Sequence, residues 1–367
     1  MPISPQSLQH VYHLLTKRES ARASHTDPFH QLTHRLHRHP APEEIFYSVH
    51  NSLKYRTGNR YSNILAYDRT AVQVDGDGYL NANVVCDGKG NWWVASQAPV
   101  PGSFHPFLRA IYTGAASTHP AINRPPKARP GAALLVQLTG WEENGVTKAD
   151  RYIPYVAARL GRMLTSCTRN IDPGETYAVP NHHTRNTMVI RPQTRLREDD
   201  LSSVITQLLL HSLDGPARTA VDESELRKDE AMTVWHYHFD AWPDHGVPEG
   251  EAVDALRRLI LEVARRREEL GDCEVWVHWY VDLQSAICPS SAGVGRTGAF
   301  IALSSLLGPP PTYPIPQSPF GQSPLGPLPA ELRHDAVAQT IDGIREWRGM
   351  LVQNQDQMRL VYDMATV

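Results

Sequence analysis

The sequence predicts an α/β domain, and three stretches of it carry that expectation. From residue 59 to about 245, short β-rich pieces such as NWWVASQ and GAALLVQLTG are separated by Gly, Pro, Asn and Asp, the pattern of strands and turns. EAVDALRRLILEVARRREELG (251–271) then places Val253, Leu256, Leu259, Ile260 and Val263 near helical spacing, opposite a charged face, with Gly271 to close the helix. Finally CEVWVH (273–278) reads as a buried strand and TGAFIALSSLLG (297–308) as a buried helix, with a glycine-rich turn before the helix.

The flanks are simpler. A helix is expected over residues 8–22, followed by a run holding His25, His30, His34, His37 and His39, which reads as a solvated arm rather than a metal tract. Residues 309–329 are too rich in proline for helix or central strand and form an extended loop. Pro311 and Pro314 have the PxxP spacing that an SH3-type partner docks, but no basic residue flanks them, so a stiff linker is the first expectation. The closing segment reads as two helices around a turn at residues 348–352.

With 367 residues, 41% of them hydrophobic, the chain is long enough to bury a large core. A formal charge of -3 lacks the Lys and Arg excess of a nucleic-acid binder. Cys86, Cys167, Cys273 and Cys288 have no short spacing, so neither a zinc site nor a disulfide framework is expected. No apolar stretch reaches the roughly 18 residues of a membrane span. The expectation is a soluble cytoplasmic protein with no metal, cofactor, membrane or nucleic-acid partner.

SAGVGRTG (291–298) carries the chemistry. Successive backbone N–H groups of a glycine-rich turn converge with a helix N-terminus on one anion. Gly293, Gly295 and Gly298 also satisfy the dinucleotide fingerprint, but the proline tract stands where its second strand and acidic residue belong. No Gly-Lys-Ser/Thr follows, which argues against a nucleotide-triphosphate loop. Arg296 has the planar fork that holds two phosphate oxygens. Some fifty residues earlier, Trp242, Pro243 and Asp244 form a turn whose acid is placed to protonate a leaving group. His236, His238 and Asp240 begin like a metallo-hydrolase motif, but Ala241 replaces the next histidine and the alternation is that of a strand.

Taken in order, these segments resemble the protein tyrosine phosphatase family. NRYSNILAYDRTAV (59–72), YLNANVV (79–85), WVASQAPVPGSFHPFLRAI (93–111), VQLTGWEENGVTKADRYIP (136–154), WPDHGVP, SAGVGRTG and QNQDQ follow one another as in its members. The resemblance implies a mixed, strongly twisted central β-sheet flanked by helices, with residues 1–45 as an N-terminal arm and 46–367 as the phosphatase domain. It implies phosphate binding by Arg296 and by the backbone of Ser291, Ala292, Gly293, Val294 and Gly295, with Asp244 as acid and then base. Thr297 would assist the departing nucleophile, Gln353 with Gln357 would position water, and Tyr61 would stack on the substrate ring in a deep cleft. Asn63 would hold the peptide backbone, and Lys148 would pair with Asp244 or substrate. Phosphotyrosine-containing proteins are the implied partners.

One departure is severe. Relatives have His-Cys, five residues, then Arg, and the position six before Arg296 is Ser290. A thiol there ionises near neutral pH because the helix terminus and the arginine lower its pKa from about 8.5; a hydroxyl gains too little from the same field. Cys288 lies two residues too early, with Pro289 intervening. Between His278 and Ser291 stand WYVDLQSAICPS (279–290), where relatives have a single cysteine. Trp279 requires the codon TGG, Tyr280 and Val281 allow a start resembling GTATGT, and Ser290 allows AGC or AGT. Excision between them fuses TG to C or T, a cysteine codon directly before Ser291, so a retained intron is the expected origin. A catalytically inactive phosphotyrosine-binding pseudophosphatase is the alternative. Milder departures are Leu108 and Ile153 where tryptophan is usual, Ala149 where cysteine is usual and Ala98 where glycine is usual.

Overall fold

Apolar runs with side chains alternating between two faces build a sheet that must be covered on both sides. The structure, a computed structural model, describes residues 3–26, 45–74, 78–122, 131–143, 146–147, 149–153, 176–243, 246–271, 273–279, 294–309 and 320–366. His30, His34, His37, His39 and residues 310–319 of the proline tract lie outside these, as do residues 280–290.

In chain order the elements are α1 (Pro5–Ser24), α2 (His50–Lys54), β1 (Ala82–Cys86), β2 (Trp92–Gln97), α3 (Phe104–Thr113), β3 (Ala132–Gln137), β4 (Glu142–Glu143) and β5 (Val146–Thr147). They continue with β6 (Tyr177–Asn181), β7 (Asn186–Glu198), β8 (Ser203–Asp214), β9 (Met232–Phe239), α4 (Glu251–Glu269), β10 (Glu274–Trp279), α5 (Val294–Leu307), α6 (Ala336–Trp347) and α7 (Gln355–Ala365). The expected strands, the 251–271 helix and the closing helix pair all form. Within the stretch read as β-rich, α3 is an addition: Phe107, Leu108, Ala110 and Ile111 give it a buried face, and Gly114, at φ +69°, ends it.

Eight strands make one mixed sheet in the order β1-β2-β10-β3-β9-β8-β7-β6. The central β2, β10, β3 and β9 run parallel, and the two flanks are antiparallel. Alternation divides the central strands between two cores. Trp93, Ala95, Leu134, Val136, Val275 and Val277 face the core shared with α1, α4, α5, α6 and α7. Trp92, Val94, Ala133, Leu135 and Trp276 face the core covered by α3. The parallel order brings the C-terminal ends of β3, β9 and β10 to one edge, where ligands of such sheets bind.

The N-terminal helix is not a detached arm. Leu8, Val11 and Leu15 recur at helical spacing and join the core of α5, α6 and α7. Arg22, fully buried, donates to Asp342 Oδ1 at 2.5 Å, Glu346 Oε1 at 2.6 Å and Glu19 Oε2 at 3.2 Å. Burial raises the Asp342 carboxyl, but Arg22 and Arg18 beside it more than offset this and hold it below its ordinary range. Among the described residues no helix is long and apolar enough to cross a membrane.

Leu108 and Ile153 line one apolar cavity of about 10 Å³ with Tyr152 and Leu135, and Ala98 and Ala149 are fully buried. These departures therefore act on packing.

Leu8→Ala should lower the stability of the whole domain by about 2–5 kcal/mol, as for a core leucine. Urea unfolding followed by tryptophan fluorescence would report it as one shifted transition. A separate early transition for α1 would mean that the helix does not belong to the cooperative unit.

Candidate active site

The site is built where β10 ends and α5 begins. Packing fixes α5: it is apolar on every side, and Ala299, Phe300, Ile301, Ala302 and Leu303 are all fully buried between the sheet and the C-terminal helices. Its first turn presents Val294, Gly295, Arg296 and Thr297. Arg296 is only 4% exposed and reaches two separate loops: Nη2 donates to the carbonyl of Pro243 at 2.6 Å, and Nη1 to that of Leu138 at 3.4 Å. Its guanidinium carbon lies 5.8 Å from the centre of the Trp242 ring, itself 3% exposed. The arginine is thus held against the turn whose next residue is Asp244. Asp244 itself, like Lys148, Ser290, Ser291, Ala292 and Gly293, lies outside the described residues.

Two glycines of the turn have a packing reason. A Cβ at Gly298 would overlap the backbone N of Val352, and one at Gly295 would overlap the side-chain amide of Gln357. Gln357 Oε1 accepts from the N–H of Gln353 at 2.8 Å, and its own N–H donates to Asn354 Oδ1 at 2.8 Å, a capping box at the start of α7. The resemblance set Gln357 beside Gln353 to position water; here its oxygen also caps a helix. Gln353 Nε2 is buried and has no hydrogen-bond partner. Thr297 Oγ1 and Ser96 Oγ share that condition, and both residues line a cavity of about 10 Å³ with Tyr61 and Val294. Tyr61 is 8% exposed, so stacking on a substrate ring requires a face that this arrangement keeps covered. Asn63, two residues on, is exposed.

The floor of the site is a layer of buried histidines. His278 pairs through Nε2 with the hydroxyl of Tyr152, while its Nδ1 has no partner. Burial, then the charges of His238 and Arg60, push its pKa down to about 3, so it is neutral at pH 7. His238, lowered to about 4 mainly by burial, donates from Nε2 to the Thr139 carbonyl at 2.7 Å. His236 Nε2 lies 3.1 Å from Gln137 Oε1, and the Gln137 amide donates to the same Thr139 carbonyl at 2.8 Å. The two histidines that opened a metallo-hydrolase pattern therefore brace the Thr139 carbonyl, His238 directly and His236 through Gln137, and Asp240 pairs with Arg197. Among the described residues no cluster of His, Cys, Asp and Glu could hold a metal ion.

Sequence reading missed the Tyr152–His278 pair and the carbonyls of Leu138 and Pro243. Carbonyls carry no side-chain signal, since any residue supplies one. Buried polar atoms without a partner occur elsewhere in the domain too, as at Arg69, Arg191 and His211, whereas those of Ser96 and Thr297 belong to one cavity beside Tyr61.

The family profile described as Protein-tyrosine phosphatase matches residues 55–125 and 128–310, well over half of the chain. The chain belongs to the protein-tyrosine phosphatase family. It is 28% identical over 262 residues to Tyrosine-protein phosphatase 99A of Drosophila melanogaster, covering 68% of this chain and 15% of that protein. It is 25% identical over 264 residues to Tyrosine-protein phosphatase 3 of Schizosaccharomyces pombe, covering 70% of this chain and 66% of the relative. The chain thus spans only a small part of several relatives, among them Receptor-type tyrosine-protein phosphatase F of Danio rerio, of which it covers 10%. In fold it is similar to the tyrosine phosphatase TcPTP1 of Trypanosoma cruzi, with a TM-score of 0.59 at 21% identity, covering 99% of this chain and 94% of that one. TbPTP1 of Trypanosoma brucei is also similar, with a TM-score of 0.57 at 22% identity, over 95% and 92% of the two chains.

Gly298→Ala should unfold the junction of α5 with the 351–352 backbone, because neither side of that contact is a flexible side chain. Its denaturation midpoint should fall far below that of Gly102→Ala, at a position where a Cβ meets nothing. For His238 the folded pKa of about 4 lies under its ordinary 6.5. The unfolded chain therefore binds the proton first, and this contribution to stability is complete above about pH 6.5 and is lost as pH falls toward 4. His238→Gln should lose less stability between pH 7 and pH 5 than the parent, measured by urea midpoints; equal losses would place the acid sensitivity elsewhere.

Proposed function

We propose that this domain is built to hydrolyse phosphotyrosine in proteins through a cysteinyl-phosphate. The observation that carries the reading is the hold of Arg296 on the Pro243 carbonyl, which joins the phosphate-gripping candidate to the turn of the candidate acid. A cysteine directly before Ser291 would attack phosphorus as the thiolate while Asp244 gives its proton to the departing tyrosine oxygen. Water, positioned by Gln353, would then form the new O–P bond as the S–P bond breaks, its proton passing to Asp244. Arg296 and the amides of residues 291–295 would carry the phosphate charge through both steps. Val294, Gly295 and Thr297 supply the first turn of α5 for this, and the orphaned Gln353 amide and Thr297 hydroxyl are groups such a substrate or water would engage.

No metal or cofactor takes part in this chemistry. Cys86 and Cys273 are buried thiols, which fits the reducing cytoplasm that a cysteine-dependent enzyme needs. Phosphotyrosine-containing proteins are the proposed partners, and the PxxP segment is a weaker candidate for an SH3-type one. The second reading, a phosphotyrosine-binding module without turnover, is favoured by Ser290 in the nucleophile's place.

Aryl-phosphate hydrolysis should be negligible for the chain as written and appear when residues 279–290 are replaced by a single cysteine. Asp244→Asn in that variant should lower kcat by about 10²–10⁴-fold. Tight phosphopeptide binding by both forms, with hydrolysis by neither, would favour the binding module. Equal hydrolysis by both would mean that the cysteine is not the nucleophile. Transcripts that always retain the codons of residues 279–290 would refute the retained intron.

A further inference from the structure

The turn between α6 and α7 has an improbable backbone. Met350 has φ +64° and Val352 φ +56°, the left-handed region that a β-branched residue adopts only when its surroundings enforce it. The enforcing groups come from two helices. Arg345 of α6, 2% exposed, donates from Nε to the Leu351 carbonyl at 2.7 Å and from Nη2 to the Val352 carbonyl at 2.6 Å. Its Nη1 donates to the carbonyl of Leu15 in α1 at 3.2 Å. Glu19, one turn farther along α1, accepts from the Met350 N–H at 2.8 Å through Oε1, and its Oε2 lies 3.8 Å from Arg345 Nε. Tyr12 donates its hydroxyl to the Gln353 carbonyl at 3.5 Å. Tyr12, Leu15 and Glu19 are three and four residues apart and share one face of α1.

We propose that α1 is the clamp of the 348–353 turn, and that Glu19 is a positioning residue for Gln353; the consequence for catalysis rests on the phosphatase reading above. What the clamp holds is the seat of the cradle. The Val352 N–H lies where Gly298 alone leaves room, and Gln353 N–H binds the Gln357 oxygen that lies against Gly295. A shift of the turn therefore moves both the Gln353 amide and the support under the first turn of α5. α1 and the turn both lie outside residues 55–310, so the family match does not itself call for this contact.

Removing the Glu19 carboxylate frees the Met350 N–H and takes one acid from both Arg345 and Arg22. In the full chain, Glu19→Ala should speed hydrogen exchange at residues 350–353 by about tenfold or more, the loss of a hydrogen bond to a charged acceptor, while β8 and α4 keep their rates. Glu19→Gln retains an oxygen for the Met350 N–H and should fall between. Unchanged exchange at the turn, or equal acceleration everywhere, would overturn the clamp. In the chain with residues 279–290 replaced by one cysteine, Glu19→Ala should keep the initial burst of aryl alcohol but lower steady-state turnover by about tenfold, because the cysteinyl-phosphate waits for a misplaced Gln353. Burst and turnover both at parental values would overturn the role assigned to Glu19. If that chain hydrolyses nothing even with Glu19 intact, the phosphatase reading fails, and the exchange measurement alone decides the clamp.

Discussion

Arg296 spans the carbonyls of Leu138 and Pro243, and so ties the first turn of a central helix to the loops that leave β3 and β9. The shorter of the two, to Pro243, is a hydrogen bond from a charged donor, of the kind worth about 1.5–3 kcal/mol. At 4% exposure the guanidinium has little water to fall back on, so the two loops must be where they are for the arginine to be buried at all. The geometry runs the other way as well: a guanidinium held from two sides has its orientation fixed by the fold.

Around that interaction the interior is polar but kept neutral. His236, His238 and His278 are buried with depressed pKa values, and their nitrogens engage the Gln137 side chain, the Thr139 carbonyl and the Tyr152 hydroxyl rather than carry charge. A charged imidazole here would add to the nearby charges of Arg60, Arg195 and Arg197. Burial makes the neutral form the cheaper one for all three.

The strands, the 251–271 helix and the closing helix pair were legible because their apolar residues repeat at the period of the element they form. Arg296, Thr297 and Gln353 could be placed at one site from sequence only by resemblance, since α5 is apolar all round and its pattern names no face. A helix over residues 8–22 was readable, yet its docking through Leu8, Val11 and Leu15 was not. The partners that fix it, Asp342, Arg345 and Glu346, lie more than three hundred residues along the chain. α3 was missed because its short apolar run sits among strand-like pieces, where neighbours decide the conformation.

Local periodicity and a glycine-rich turn before a helix are properties of consecutive residues, so the chain by itself determined an α/β domain with that turn ahead of a buried helix, and its motif order determined the family. Which carbonyls grip Arg296, why Gly295 and Gly298 admit no side chain, and how α1 enforces left-handed backbone at Met350 and Val352 are contacts between residues remote in sequence. Close packing forms those contacts only after the sheet has brought its strand ends together, and for that reason only the tertiary structure decided them.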